Sequence, residues 1–252
     1  MNERHRHAEF EAPPVVEVAL GVVFEPAFLD LPKIIAFWHE RLSGYPRFQI
    51  QPAIAEGPAI LSSVPPIRCW FMDPSQVRLV QLQHDRLVFN WRKADSTTEY
   101  PHFSPVCEQL IATWESLLDF LGQQDMGAPK VKQCEVTYVD HLEAEPSADL
   151  ASTSPLFEGA MRDFLGHSTL ETYHTVYLLP AEQGELTLGL QPARRHFDGR
   201  LVNQLTTTVR SSPALAPVDD IRAALDLGHR WAVTAFLDFT SPQLQDSWRM
   251  RG

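Results

Sequence analysis

The stretch KVKQCEVTYVDHLEAE, residues 130 to 145, sets Asp140, His141, Glu143 and Glu145 within six positions, with Cys134 and Glu135 just upstream. Such residue types act as metal ligands or acid/base pairs when their side chains converge. Alternation along a strand decides whether they can. With a side-chain period of two, Cys134, Val136, Tyr138, Asp140 and Leu142 share one face, and Glu135, Thr137, Val139, His141 and Glu143 the other. Asp140 and His141 therefore diverge, and Glu135 stands about 20 Å from His141 at a rise of ~3.3 Å per residue. No Asp-His-Glu triad forms within this strand. His141 and Glu143 lie on one face about 7 Å apart, near enough to share a ligand but short of a four-ligand metal set. The stretch reads as a solvated strand face, and no metal is expected.

Three further groupings carry chemistry. PARRHFDGR gathers Arg194, Arg195, His196, Asp198 and Arg200 around a turn, the densest positive patch of the chain. Guanidinium forks of that kind suit a phosphate, a carboxylate or an acidic partner surface, while Phe197 and Gly199 equally fit a plain hairpin tip. On the last helical segment Asp226 and His229 are three residues apart and can interact along one face. Gln81 and Gln83 alternate with apolar neighbours and share a face with Arg86 and Asn90. Phosphate-binding glycine loops, HExxH, GxSxG and paired CxxC motifs are absent from the sequence.

The elements that must position these groups follow from periodicity. VVEVALGVVF (15 to 24) reads as a strand. DLPKIIAFWHERL reads as a helix capped by Asp30, with Pro32 early and Leu31, Ile34, Ile35, Trp38 and Leu42 on one face. RCWFMD (68 to 73) is another strand, and VRLVQLQHDRLVFNWRK a hairpin turning at His84 and Asp85. In that hairpin Val80, Leu82, Leu87, Phe89 and Trp91 form the apolar face. HFSPVCEQLIATWESLLDFLG predicts a helix with Ser104 as N-cap, Pro105 first, a stripe of Cys107, Leu110, Trp114, Leu117, Leu118 and Leu121, and Gly122 as stop. EPSADLASTSP (145 to 155) reads as a linker and LFEGAMRDFL as a short helix. HTVYLL, ELTLGLQ and LVNQLTTTVR read as a meander, and DDIRAALDLGHRWAVTAFLDFT as a helix with Ile221, Ala224, Leu225, Ala232, Ala235, Phe236 and Phe239 inward.

The expected fold class is α+β, with antiparallel sheet(s) and long amphipathic helices packed on one face. Two architecturally similar strands-then-helix halves are expected, 1–144 and 156–252 around the linker, or one continuous domain.

Composition narrows the partners. The 252 residues are 44% hydrophobic with six Trp and fourteen Phe, so a sizeable core is available. A net charge of −11 opposes non-specific nucleic-acid binding. No apolar run is long enough to cross a bilayer, and the polar start lacks the apolar core of a secretory signal, so a cytoplasmic protein without membrane association is expected. Cys69, Cys107 and Cys134 read as reduced thiols, with Cys107 a buried small hydrophobe rather than a nucleophile.

PPVVEVALGVVF, VQLQHDRLVFNW followed by Tyr100 and Pro101, CEVTYVDHLE and LDLGHRWAVTAFLDFTSPQLQDSW are landmarks along nearly the whole chain. In them it resembles a sporadically distributed bacterial family of uncharacterised proteins of about 250 residues, close to the length here. The resemblance singles out Asn90, Trp91, Tyr100, Pro101, Glu135, Tyr138, Asp226, His229, Phe236 and Trp248, with Asp140 standing where Asn is expected. It implies no activity, substrate or cofactor, and points only to an accessory or phage-defence-type system.

The leading reading is a non-catalytic binding or adaptor protein. It would recognise a protein partner or small ligand on the polar face of a curved sheet, through Gln81, Asn90, Glu135, His141, Glu143, Arg194, Arg195 and His196. Two alternatives stand beside it. One is an enzyme whose acid/base residues, from His141, Glu143, Glu135 and His229, meet only in the fold. The other is a structural homodimer joined at sheet edges. No cofactor is expected.

Overall fold

The computed structural model describes residues 9–25, 29–54, 67–143, 154, 172–213, 218–248 and 250–251. In chain order they form β1 (Glu9–Phe10), β2 (Val15–Phe24), α1 (Leu31–Arg41), β3 (Arg47–Pro52), β4 (Ile67–Met72), β5 (Arg78–Gln83), β6 (Arg86–Arg92), α2 (Phe103–Gln123) and β7 (Val131–Leu142). Then come β8 (Tyr173–Leu178), a 3-10 turn (Pro180–Glu182), β9 (Glu185–Arg194), β10 (Leu201–Ser211), α3 (Val218–Phe239), α4 (Pro242–Ser247) and β11 (Met250–Arg251). The architecture is α+β.

Nine strands make one antiparallel sheet in the order β3-β4-β5-β6-β2-β7-β10-β9-β8, while β1 pairs separately with β11. β2 and β7 are the central pair, with Val18 opposite Tyr138 and Leu20 opposite Val136. The neighbouring ladder, β7 with β10, joins strands of both expected halves into one sheet. The helices pack by their apolar stripes: α2 on β2 and β6, α3 on β7 and β10, and the two helices touch each other. α2 alone buries ten residues, among them Leu110, Trp114, Leu117 and Leu121. Each buried side chain of Leu or Phe size contributes about 1.5–3 kcal/mol. Among the described residues, no helix is long and apolar enough to cross a membrane.

Local chemistry explains most boundaries. Asp30 caps α1 by accepting from the Lys33 amide at 3.1 Å. The inward face of α1 is rotated from the expected stripe, because Phe37 is fully buried whereas Leu31 is 37% exposed. The hairpin turns where expected, with Leu82 opposite Leu87 and Val80 opposite Phe89.

α2 begins one residue before the expected Ser104 cap. His102 takes the cap position with φ 67 and ψ 174 and makes no side-chain capping bond. Pro105 thus sits at the third helical position, where its missing N–H is still not needed. The helix also runs past Gly122. It ends at Gln123 with Gln124 as C-cap, after which Asp125 adopts φ 55 and the Met126 amide returns to the Leu121 carbonyl at 3.0 Å. The expected linker at 145 to 155, apart from buried Ser154, and the expected short helix after it lie outside the described residues.

Candidate functional site

Antiparallel pairing gathers several chain ends at one end of the sheet. Glu17 near the start of β2 faces Arg92 at the end of β6, and Val15 faces Asp140 near the end of β7. Asn203 near the start of β10 pairs with both Leu142 and Pro192. The segment after β6 and the turn between β9 and β10 therefore come to the same place. A bulge marks it: Val15 opposes Asp140 while Glu17 opposes Val139, which leaves Val16 unpaired in that ladder. Bulges re-aim side chains at strand ends. Here the end of β7 opens into two adjoining chambers that share Pro13, Pro14, Val15, Tyr100 and His102 as common wall.

The inner chamber, about 310 Å³, lies between β7, β10, α3 and the start of α2, with Phe10, Phe103, Ala232, Val233 and Phe236 as apolar lining. Its polar groups form a short relay. The Tyr138 hydroxyl is 2.8 Å from His229 Nδ1 and 3.3 Å from the Tyr100 hydroxyl. Phe103 stacks on the His229 ring at 4.2 Å with the planes 5° apart, fixing the imidazole from the other helix. The His102 backbone that delivers Phe103 occupies a region natural to glycine, a strain of about 1–3 kcal/mol of the kind that collects at ligand sites. Burial raises the titration of both Tyr100 and Tyr138, so both stay phenolic at neutral pH.

Asp140 is the unusual member of this chamber. It is 2% exposed, lines the cavity, and receives no hydrogen bond at its carboxyl from any described residue. Burial alone pushes its titration up to about 8. Beside it Thr207, paired with Tyr138 across the ladder, has a buried hydroxyl without a hydrogen-bond partner among the described residues.

The outer chamber, about 870 Å³, is polar and lined by residues including Glu11, Lys93, Glu99, His141, Glu143 and Arg195. Arg195 Nη1 is 2.6 Å from Glu143 and Arg195 Nη2 2.5 Å from Asp198. The Arg195 fork holds Asp198 down at about 2. The guanidinium that could have met a phosphate, a carboxylate or an acidic partner is thus already paired within the chain, while Arg194 donates to the Gly199 carbonyl at 3.3 Å and His196 packs edge-on against Phe197. His141 is 9% exposed and its Nδ1 has no hydrogen-bond partner among the described residues. Burial lowers its titration, reinforced by the Arg195 and His196 charges and opposed by a hydrogen bond with Gln204.

The sheet face expected to be solvated is instead closed over itself. Gln81 and Asn90 are buried and hydrogen-bonded at 2.6 Å, Asn90 donates to Glu17 at 2.5 Å, and Arg68 and Trp70 both donate to Gln81. Glu135 sits between Arg86 at 3.1 Å and Arg210 at 2.8 Å, and Arg210 reaches on to Glu185 at 3.1 Å. Long polar side chains opposite one another satisfy each other and exclude water. That is why a pattern read as wet is largely dry.

The groups anticipated from sequence thus fall in three places. Gln81, Asn90 and Glu135 belong to the internal network. His141, Glu143 and Arg195 line the outer chamber. Tyr100, Tyr138, His229 and Phe236 line the inner chamber, where Trp91 packs on Tyr100 at 5.2 Å and Trp248 on Phe236 at 5.2 Å. His229 Nδ1 meets the Tyr138 hydroxyl, a partner that the Asp226 spacing did not indicate. Sequence reasoning assigned no site role to Asp140, His102, Phe103 or Thr207, although Asp140 on the Tyr138 face was the available signal. The three cysteines are buried, and burial pushes their thiols up to about 11 or 12. Among the described residues, no group of three or more His, Cys, Asp or Glu is placed to hold a metal ion. No protein-family model matches the chain, and a search of curated proteins finds no match.

Proposed function

We propose that the protein is a non-catalytic binding protein whose recognition site is the two-chambered cleft at the end of β7, and that its ligand is a small organic molecule. One observation carries this reading: an apolar, aromatic-walled chamber of about 310 Å³ that contains a few convergent polar groups, Asp140, Tyr138, His229 and Thr207. Small-molecule sites have that composition and about that size. The polar sheet face is a weaker choice, because most of its long polar side chains already pair with one another. On this reading the long helices cover one face of the sheet. The chain then forms two strands-then-helix units sharing a single core, and the cleft draws on both.

The test is to purify the protein from its native host under non-denaturing conditions and identify retained small molecules by mass spectrometry, alongside Ala232→Phe. Ala232 is 2% exposed on the chamber wall, and the added ring takes up ligand space. Stoichiometric release from the wild type and none from the variant is expected. Equal recovery from both, or none from either, removes the reading.

A second reading is acid/base catalysis in the same cleft. It is favoured by two adjacent residues whose environments push titration in opposite directions, Asp140 up and His141 down. Conversion of the released molecule by the wild type but not by Asp140→Asn would move the assignment there.

A further inference from the structure

We propose that the inner chamber selects organic amines, with Asp140 as the counter-ion of a ligand ammonium and the aromatic wall holding the ligand's apolar body. This rests on the cleft being a small-molecule site and names the chemical class that it takes.

The argument begins with what is unsatisfied. A carboxyl that is 2% exposed ordinarily has a cation or several donors as partners, because burying it alone costs several kcal/mol. Asp140 has neither among the described residues, although its neighbours do: Tyr138 and His229 are hydrogen-bonded to each other, and Tyr100 to Tyr138. Thr207, one strand away on β10, also presents a buried hydroxyl without a partner among the described residues. Once ionised, Asp140 only accepts, the Thr207 hydroxyl can accept as well as donate, and both line the same cavity. What is missing is a donor, best a cationic one.

Charge selects against the alternatives. Among the described residues, the titratable groups lining the chamber are Tyr100 and His102 from the segment before α2, Tyr138 and Asp140 from β7, and His229 from α3, with no Lys or Arg. An anionic ligand would meet Asp140 without a compensating cation. A neutral apolar ligand would leave the carboxyl and the Thr207 hydroxyl buried and open. An ammonium satisfies both, and Phe10, Phe103 and Phe236 supply apolar surface for its body.

Proton balance gives the proposal its signature. Unliganded, the carboxyl holds its proton at neutral pH because burial raises its titration. A bound ammonium stabilises the carboxylate, so the carboxyl proton leaves to solvent as the ion pair forms, and the ammonium keeps all of its own. Binding therefore releases close to one proton per site at neutral pH.

The test uses the full chain and three probes of one shape: 2-phenylethylamine, 2-phenylethanol and phenylacetate. They are titrated by calorimetry at neutral pH in two buffers of different ionisation heat. The amine is expected to bind about 10- to 100-fold more tightly than the alcohol, as charge-assisted hydrogen bonds imply, with phenylacetate weakest and proton release confined to the amine. In Asp140→Asn, which keeps shape and removes charge, amine and alcohol should bind alike and proton release should vanish. Equal affinity for amine and alcohol in the wild type overturns the proposal. So does an amine preference that survives in Asp140→Asn, or binding of none of the probes at millimolar concentration. Each of these leaves the host-ligand comparison with Ala232→Phe free to succeed, so failure of the chemical class is distinguishable from failure of the site.

Discussion

Replacing Asp140 by Asn should remove a specific pH dependence of stability. In the folded chain the carboxyl titrates at about 8 instead of 3.8, because burial penalises its charged form. In the unfolded chain it ionises at its ordinary value. Between those two values the folded state holds a proton that the unfolded state has released. The slope of unfolding free energy with pH is 2.303RT times the protons bound unfolded minus folded, here minus one, or about −1.4 kcal/mol per pH unit. The stability from this raised acid is fully present below the unfolded value, falls as pH rises through the window, and levels off above the folded value. Over the window from 3.8 to about 8 the loss is of order 5 kcal/mol, reduced by whatever relaxation and water entry the ionised carboxylate induces. The assay is urea unfolding of wild type and Asp140→Asn across a pH series. Glu17, His141 and the tyrosines titrate in both proteins and cancel in the difference. That difference should move in favour of the variant by about 1.4 kcal/mol per unit from about pH 4 to about pH 8, then flatten. A difference that stays constant across the window refutes the reasoning, since it would mean that the buried carboxyl is already ionised in the folded protein.

Two glutamates of the same strand region should differ in what their loss costs. Glu135→Gln removes the carboxylate that Arg86, whose side chain is 4% exposed, shares with Arg210, and should cost about 3–5 kcal/mol in urea unfolding. Glu143→Gln breaks a pair whose carboxylate is 58% exposed and should cost less than about 1 kcal/mol; equal losses would contradict the network described. Gly228→Ala should destabilise despite the better helix propensity of Ala, because a Cβ there would stand 2.8 Å from Val136 Cγ2. Overpacking of about 1–3 kcal/mol outweighs a gain of about 1, and a higher melting temperature would overturn that balance.

Periodicity made the elements legible because each stripe is wide and each turn chemically marked. The β5–β6 hairpin and the two faces of β7 follow from alternation alone, and burial agrees with it, with Cys134, Val136, Tyr138 and Asp140 all buried along one side. Alternation could not reveal what covers the second face. Gln81 and Asn90 have the side chains of a wet surface, yet their partners Arg68, Trp70 and Glu17 come from other strands, so only the strand order exposes the network. The start of α2 was misplaced for a related reason. Ser104–Pro105 is a good local cap, but Phe103 is drawn into the helix by its stack on His229, at the price of a left-handed His102.

The candidate site was half visible for the same cause. Tyr100, Tyr138 and His229 stood out as landmarks, but they are 91 residues apart at the extreme of one hydrogen bond, and no spacing rule connects them. The strand order does. Because β2 is flanked by β6 on one side and β7 on the other, both antiparallel to it, the segment carrying Tyr100 and His102 must emerge beside the end of β7. There Asp140 and His141, neighbours in sequence, are sent by the pleat to opposite sides of the sheet, into chambers of opposite character. One holds a carboxyl in its neutral form among aromatic rings, and the other an imidazole in its neutral form among charges. A ligand spanning both chambers would touch residues contributed before α2 and after β7. Its binding energy would then be added to the stability of the shared core, which ties occupancy of the cleft to the integrity of the whole sheet.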